Sequence, residues 1–492
     1  MFDIIIVNVP GSVTKTPLAA PALLKSSIEK AGFTCQTIDF NIRFYIDVKR
    51  SDELENYFST GINTEMENSA SQLMLTYAKE IISNNPKYVG ISVFTYQNQI
   101  ATRLLCYHLR NLSPVKIVVG GQGLSDGGIQ GAQGYAKQLY NDGLIDYWIK
   151  SEGEISIVEL LRGNTNYPGI NSDTFSQIDD IDSLPFPNYD DYDLSLYNAP
   201  NFLPITASRG CVRACSFCDI HEHWKYRYRS GKNVSEEIIH LNKKYNINKF
   251  KFTDSLINGS LKEFNQLIKI LAEYNKSTSN KISWSSQFIV RQSKQINDDY
   301  WKNISESGGE NLAIGVETGS DRVREHMNKK FTNHDLDYTM YQLNKYKITC
   351  TFLMIVGYPT ETEKDFQDTL DMFTRYKQYA NSIIIDVNLG STLSILPGTP
   401  LHHRAKELNI ELDNFENNWV ALDNSELTLE KRLERIKILK NHLVDLGYNP
   451  SNNANEHMLQ ILENNLEKFN KRLKLKKMIK IKNRHSNNRY DN

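Results

Sequence analysis

The stretch "NFLPITASRGCVRACSFCDIHEHW" (residues 201–224) decides how the rest of this chain is read. An apolar run leads into Cys211, Cys215 and Cys218, spaced C-x-x-x-C-x-x-C. Soft thiolates select zinc, copper(I) or iron–sulfur clusters. Structural zinc is four-coordinate and closed, so it needs a fourth ligand. His221, three residues after Cys218, would complete a Cys₃His set. A [4Fe–4S] cluster also has four irons to ligate. Three local cysteines leave one iron without a protein ligand, and an open iron is a place for a small molecule to chelate. The spacing alone leaves both readings open.

The 492 residues are enough for two to four domains, with 40% apolar residues, 23% charged residues and a net charge of −1. This is the profile of a soluble globular protein, and the charge gives no reason to expect a polyanionic partner. The opening "MFDIIIVNVP" lacks a basic segment and reads as a first strand rather than a signal peptide. No apolar run approaches the ~20 residues that span a bilayer, so the expected location is the cytoplasm. Six cysteines in so long a chain do not argue for a disulfide framework. Cys35, Cys106 and Cys350 stand alone and read as small buried side chains.

Outward from the cysteine stretch, strands and helices alternate on both sides. Before it, "DIIIVNVP" (3–10), "TCQTIDF" (34–40), "KYVGISVFT" (87–95), "VKIVVGGQG" (115–123) and "IDYWIKSEGE" (145–154) read as strands. Amphipathic segments such as "PLAAPALLKSSIEKAGF" (17–33) and "QIATRLLCYHLRNL" (99–112) separate them. That alternation predicts a doubly wound parallel sheet whose ligands sit beyond the carboxyl ends of the strands. Residues 161–200, with "SLPFPNYDDYD", have linker composition. After the cysteines, "KFKFTDS" (249–255), "ISWSSQFIV" (282–290), "NLAIGVETGS" (311–320), "ITCTFLMIVGYP" (348–359) and "SIIIDVNLGSTLSILPG" (382–398) alternate with helical segments. About six βα units fit a partial (β/α)₆ TIM-type barrel, with the cysteine loop at its carboxyl end, where barrels carry their chemistry. From residue 411 the pattern is helical, without strands. It ends in the basic "KFNKRLKLKKMIKIKNRHSNNR" (468–489), read as a solvated helix, with contact to RNA or an anionic surface as the alternative. The expected division is therefore 1–160, 161–200, 201–410 and 411–492.

"GCVRACSFC" resembles the signature loop of the radical S-adenosylmethionine (radical SAM) enzymes. Cys211, Cys215 and Cys218 match the three ligands, and Phe217 the aromatic before the last of them. The resemblance implies that SAM chelates the open iron of a [4Fe–4S] cluster. It also implies an external electron donor of the flavodoxin or ferredoxin type. Further segments match along most of residues 200–405. "FTDSLIN" resembles the second strand, with Asp254 and Ser255 toward the SAM amine. "SSQFIVRQ" resembles the third, with Gln287 and Arg291 toward its carboxylate or ribose. "IGVETGSDRV" resembles the fourth, with Glu317 toward a ribose hydroxyl or the amine. "MIVGYPTETEKD" resembles the fifth, with Gly357 and Pro359 beside the adenine, and "ILPGTPL" the end of the sixth. Each has a plainer alternative: Asp254 as a cap, Glu317 paired with Arg291 or Arg322, Arg291 on the surface. His221 and His223 read as loop polar residues, His402 and His403 as residues following a barrel strand, and Cys350 as core.

The amino-terminal region resembles the cobalamin-binding domain that precedes the barrel in one large radical SAM class. Gly120 and Gly121 would admit the nucleotide tail, and Ser92 and Thr95 would bond it. The D-x-H-x-x-G motif, whose histidine binds cobalt, is missing from "NVPGSVTKT" (8–16). The domain's one histidine, His108, lies in a helical segment. A corrinoid here would lack a histidine lower ligand. The resemblance thus implies a cobalamin-dependent radical SAM enzyme transferring a methyl group to an unactivated carbon. Two readings stay beside it: radical rearrangement, oxidation or ring formation with a cobalamin-free domain, and a zinc-stabilised protein whose basic tail contacts RNA. The substrate is not legible.

Overall fold

The computed structural model describes residues 2–12, 14–48, 51–62, 64–125, 134–150, 152–390, 392–412, 419–422 and 427–451. The basic tail at 468–489, with the surface contact expected of it, lies outside the described residues. The chain divides into two compact units. One joins Met1–Gly210 with His223–Trp284, the other Cys211–Glu222 with Ser285–Asn492.

In the first unit, strands β1 (Ile4–Asn8), β2 (Cys35–Asp39), β3 (Tyr88–Ser92), β4 (Lys116–Gly120) and β5 (Tyr147–Ile149) form a parallel sheet in the order β2-β1-β3-β4-β5. All five residues of β1 are buried, as a strand covered on both faces requires. β1 pairs with both β2 and β3, Ile4 lying opposite Cys35 on one side and Tyr88 on the other. This is the flavodoxin-like order, with its switch point between β1 and β3. Helix α1 (Ala19–Lys30) follows β1, and α2 (Gln99–Leu112) follows β3. Residues 152–154 are not a turn closing the series. They open helix α3 (Gly153–Leu161), which the sequence reading lacked, with Glu152 at its N-cap.

The same unit holds β6 (Phe202–Ile205) and β7 (Lys249–Phe252), parallel and in register from Phe202 opposite Lys249 to Ile205 opposite Phe252, with α4 (Gly231–Tyr245) between them in the chain. The boundary between the units falls inside β8 (Ser283–Phe288). In the second unit β9 (Gly309–Glu317), β10 (Cys350–Met354), β11 (Ile384–Asn388) and β12 (Pro450–Ser451) run parallel in that order. Helices α5 (Asn333–Tyr346) and α6 (Glu363–Arg375) follow β9 and β10. Both start at capping boxes, Thr332 with Asp335 and Thr362 with Asp365. The strands from β6 to β11 and their crossovers are those of the expected partial (β/α) barrel. The carboxyl-terminal region is built on helix α7 (Leu429–Asp445), but it is not strand-free. Ile410–Glu411 pairs antiparallel with Val420–Ala421, and β12 extends the edge of β11. Two-residue strands leave too short a pattern to read.

Candidate active site

The stem of the cysteine loop belongs to the first unit. Ser208 and Arg209 pair antiparallel with Tyr228 and Arg227. Gly210 closes the stem at φ +80°, and a Cβ there would lie 2.7 Å from the Lys225 carbonyl oxygen, so only glycine fits. Asp254, at the end of β7, is 3% exposed. It accepts hydrogen bonds from the Ala207 amide (3.0 Å) and the Ser208 hydroxyl (2.6 Å). Burial, opposed by these bonds, pushes its carboxyl up to about 6. Its oxygens hold the segment between β6 and the loop, a role close to the capping alternative. Ser255 beside it is half-buried.

The body of the loop lies in the second unit, and Ser216 is its hub. The Ser216 amide donates to the Met327 carbonyl (3.1 Å), and its own carbonyl accepts from the Leu401 amide (2.7 Å). Its hydroxyl bonds the Tyr358 hydroxyl (2.9 Å). The Asn328 side chain donates to the Ala214 carbonyl (2.7 Å). Segments after β9, β10 and β11 thus converge on the residues between the cysteines. Cys215 is buried, and Cys211 and Cys218 are half-buried. Burial raises all three thiols, Cys218 to about 11, and each feels the charge of another cysteine or of Lys329. The metal-free loop therefore carries thiols, and a metal must displace their protons.

Among the described residues, no three His, Cys, Asp or Glu side chains are gathered as ligands of a single metal ion. A lone zinc requires four donors around one point. A [4Fe–4S] cluster spreads its cysteines over different irons, so the thiols need not converge. His221 sits on the exposed turn Ile220–His223. The donor set fits the cluster.

Glu317 ends β9 at φ +65°, beyond a bulge between Gly315 and Glu317. Its partner is neither Arg291 nor Arg322 but Lys329, at 2.8 Å, both side chains being 10% exposed. Arg322 pairs with Asp365 instead. A Cβ on Gly315 would lie 2.6 Å from Glu317 Oε1 and 2.8 Å from Lys329 Nζ, so the ion pair lies directly over that glycine. Burial works to lower the Lys329 pKa, but Glu317 and the charges of Cys215 and Cys211 raise it on balance. Lys329 also stands 5.8 Å from the centre of the Phe217 ring. A buried cation beside the thiols is what a negatively charged cluster requires. Nothing in the sequence pattern marked Lys329, one of several cations in "REHMNKK".

Gln287 is exposed on β8, and Arg291 is half-buried just beyond it. Gly357 and Pro359 are buried in the turn after β10. There the Gly357 amide donates to Glu361 (3.2 Å), and the Arg432 side chain covers the glycine. His402 is half-buried and His403 exposed on the turn Pro400–His403, while Cys350 is fully buried on β10.

In the first unit a cavity of about 170 Å³ lies against the sheet, bounded by β1, β3, β4, α1 and α3. Ser92, Gly120 and Gly121 line it, with Gly90, Gly153 and Glu154. Gly121 stands at φ +119°, where a Cβ would be 2.3 Å from the Val93 carbonyl oxygen. Thr95 is not among the lining residues. Its hydroxyl donates to the Gly11 carbonyl (3.3 Å) and forms a capping box with Asn98. His108 lies in α2, bonded to Ser71 at 2.9 Å.

Residues 205–373 match the family model described as the radical SAM superfamily. The chain carries a radical SAM domain. A protein described as an uncharacterized methyltransferase from Pyrococcus horikoshii is 25% identical over 298 residues, 57% of this chain and 62% of that protein. The match to it therefore spans about three-fifths of its length. Among solved structures, the cobalamin-dependent S-adenosylmethionine radical enzyme OxsB with aqua-cobalamin bound aligns at a TM-score of 0.62 and 17% identity, covering 88% of this chain and 65% of that one. The radical SAM methyltransferase TsrM from Kitasatospora setae, with cobalamin and [4Fe–4S] cluster bound, aligns at 0.58 and 16%, covering 83% and 76%. At these identities both likenesses show the fold alone.

Proposed function

We propose that the protein is a cobalamin-dependent radical SAM enzyme that transfers a methyl group to an unactivated carbon. The observation that carries this reading is the glycine-lined cavity of the first unit, at the switch point of a sheet that precedes a radical SAM domain. The relatives agree with it: one is described as a methyltransferase, and two structural neighbours hold cobalamin. When bound, the cluster with SAM supplies hydrogen-atom abstraction, and cobalamin supplies a transferable methyl group.

Cys211, Cys215 and Cys218 hold three irons and leave the fourth for SAM. Lys329 balances their negative charge, and Glu317, which sits with it over Gly315, is assigned to accept from an amine or a ribose hydroxyl. Gln287 and Arg291 extend toward the same ligand from β8, and Gly357 and Pro359 bound the adenine. Asp254 acts by holding the loop stem, and Ser255 is assigned to the SAM amine. In the first unit, Ser92, Gly120 and Gly121 would admit the nucleotide tail of a corrinoid. The electron comes from an external flavodoxin or ferredoxin. The test is corrinoid content after anaerobic purification from cells supplied with cobalamin. About one corrinoid per chain supports methyl transfer. A protein with iron and SAM cleavage but no corrinoid belongs instead with radical rearrangement, oxidation or ring formation.

A further inference from the structure

Four charged side chains of the first unit form a buried chain that the reading above does not use. Glu152, at the N-cap of α3, takes the Arg227 guanidinium in a two-pronged pair, 2.7 Å to Oε2 and 2.8 Å to Oε1. Both side chains are 4% exposed. Glu152 also accepts from Arg209 Nη1 at 3.0 Å, and Arg209 reaches on with Nη2 to Glu154. The Ile178 amide donates to Glu152 Oε2 as well (2.5 Å), and Arg227 Nη1 donates to the Ile178 carbonyl (2.5 Å). The charges cancel, two against two. Both glutamates sit at the amino end of α3, which favours negative charge.

What matters is where the two ends of this chain lie. Arg209 and Arg227 face each other across the antiparallel stem of the cysteine loop, and Arg209 is two residues before Cys211. Glu154 and its neighbour Gly153 line the cavity of the amino-terminal sheet. Forked, desolvated pairs hold geometry tightly, and arginine's planar fork does so better than a lysine point charge. The Glu152–Arg227 pair is forked in this way, and Arg209 bridges the two glutamates with one nitrogen to each, so the cavity wall and the stem share one network.

We propose that Glu154–Arg209–Glu152–Arg227 is a coupling strut, so that filling the cavity and loading the cysteine loop alter each other's affinity. Glu154 and Arg209 are its positioning residues. The inference rests on the cavity being the corrinoid site proposed above. By linkage, iron in the loop must then change the affinity of the cavity, and by the same factor in reverse.

The experiment measures hydroxocobalamin binding to the full chain by its visible spectrum, with the loop iron-loaded or iron-stripped. The wild type is expected to show a difference of about fivefold or more between the two states. Arg209→Gln, which removes the link between the two glutamates at a residue that does not line the cavity, is expected to bring that ratio close to one while iron and hydroxocobalamin still bind. Arg209→Lys, which keeps the charge but loses the fork, is expected to restore part of the difference. If Arg209→Gln does not fold, Arg227→Lys carries the same expectation, because it breaks the two-pronged pair with Glu152 and keeps the charge. A wild-type ratio of one, or a full difference retained in Arg209→Gln, overturns the strut and leaves the corrinoid reading standing. Absence of hydroxocobalamin binding in every form overturns the corrinoid reading and the strut with it.

Discussion

Replacing Lys329 by methionine removes the cation that pairs with Glu317, and its cost follows from the geometry. Both side chains are 10% exposed and their charged atoms are 2.8 Å apart. Breaking a buried pair from one side costs about 3–5 kcal/mol, because the remaining charge has no compensation. Lys329→Met is therefore expected to lose about 3–5 kcal/mol. The measurement is urea unfolding of metal-free, reduced protein. Adding Glu317→Gln removes the stranded charge and should recover most of the loss, a coupling that a double-mutant cycle reads directly. A loss under about 1 kcal/mol, or one that does not respond to Glu317→Gln, would refute the buried pair.

Three other outcomes are expected. The Asp254 carboxyl, pushed by burial from 3.8 to about 6, binds its proton more tightly folded than unfolded, so stability falls between pH 4 and pH 6 by about 3 kcal/mol; Asp254→Asn should remove that slope in thermal melts and be the more stable protein at pH 8. Gly210→Ala places a Cβ 2.7 Å from the Lys225 carbonyl oxygen at φ +80°, so it should lose about 1–3 kcal/mol and retain less iron after reconstitution and desalting. In folded metal-free protein, iodoacetamide should label Cys211 and Cys218 first and leave Cys35, Cys106 and Cys350 unmodified, since burial raises those three thiols strongly, Cys35 and Cys106 to about 12; peptide mass spectrometry reads the order.

Much of the fold was legible because parallel strands buried on both faces leave short apolar runs, as "IIIVN" and "KIVVG" do. Helix α3 was not, because "IDYWIKSEGE" runs from strand to helix N-terminus through a glycine that looks like a turn. The acidic residues at that start were the available sign. At the site, the three cysteines stand out by their spacing. Glu317 was singled out from the sequence, but its pairing with Lys329 was not, since a cation twelve positions on has no periodic relation to it. Asp254 and Thr95 were read toward ligands, yet their side chains hold backbone and hydroxyl groups nearby. Short polar side chains do either, and sequence does not say which donors will be left over at a loop. Ser216, Tyr358 and the strut were invisible for the same reason: they join segments far apart in the chain.

The central claim is that Cys211, Cys215 and Cys218 hold a cluster that leaves an iron open for SAM. The most direct measurement is 5′-deoxyadenosine formed from SAM by anaerobically reconstituted protein, with and without dithionite, alongside its iron content. About four irons per chain and reductant-dependent 5′-deoxyadenosine, both lost in Cys211→Ala/Cys215→Ala/Cys218→Ala, is the predicted result. The same yield from the triple variant, or one zinc per chain in place of iron, would contradict it.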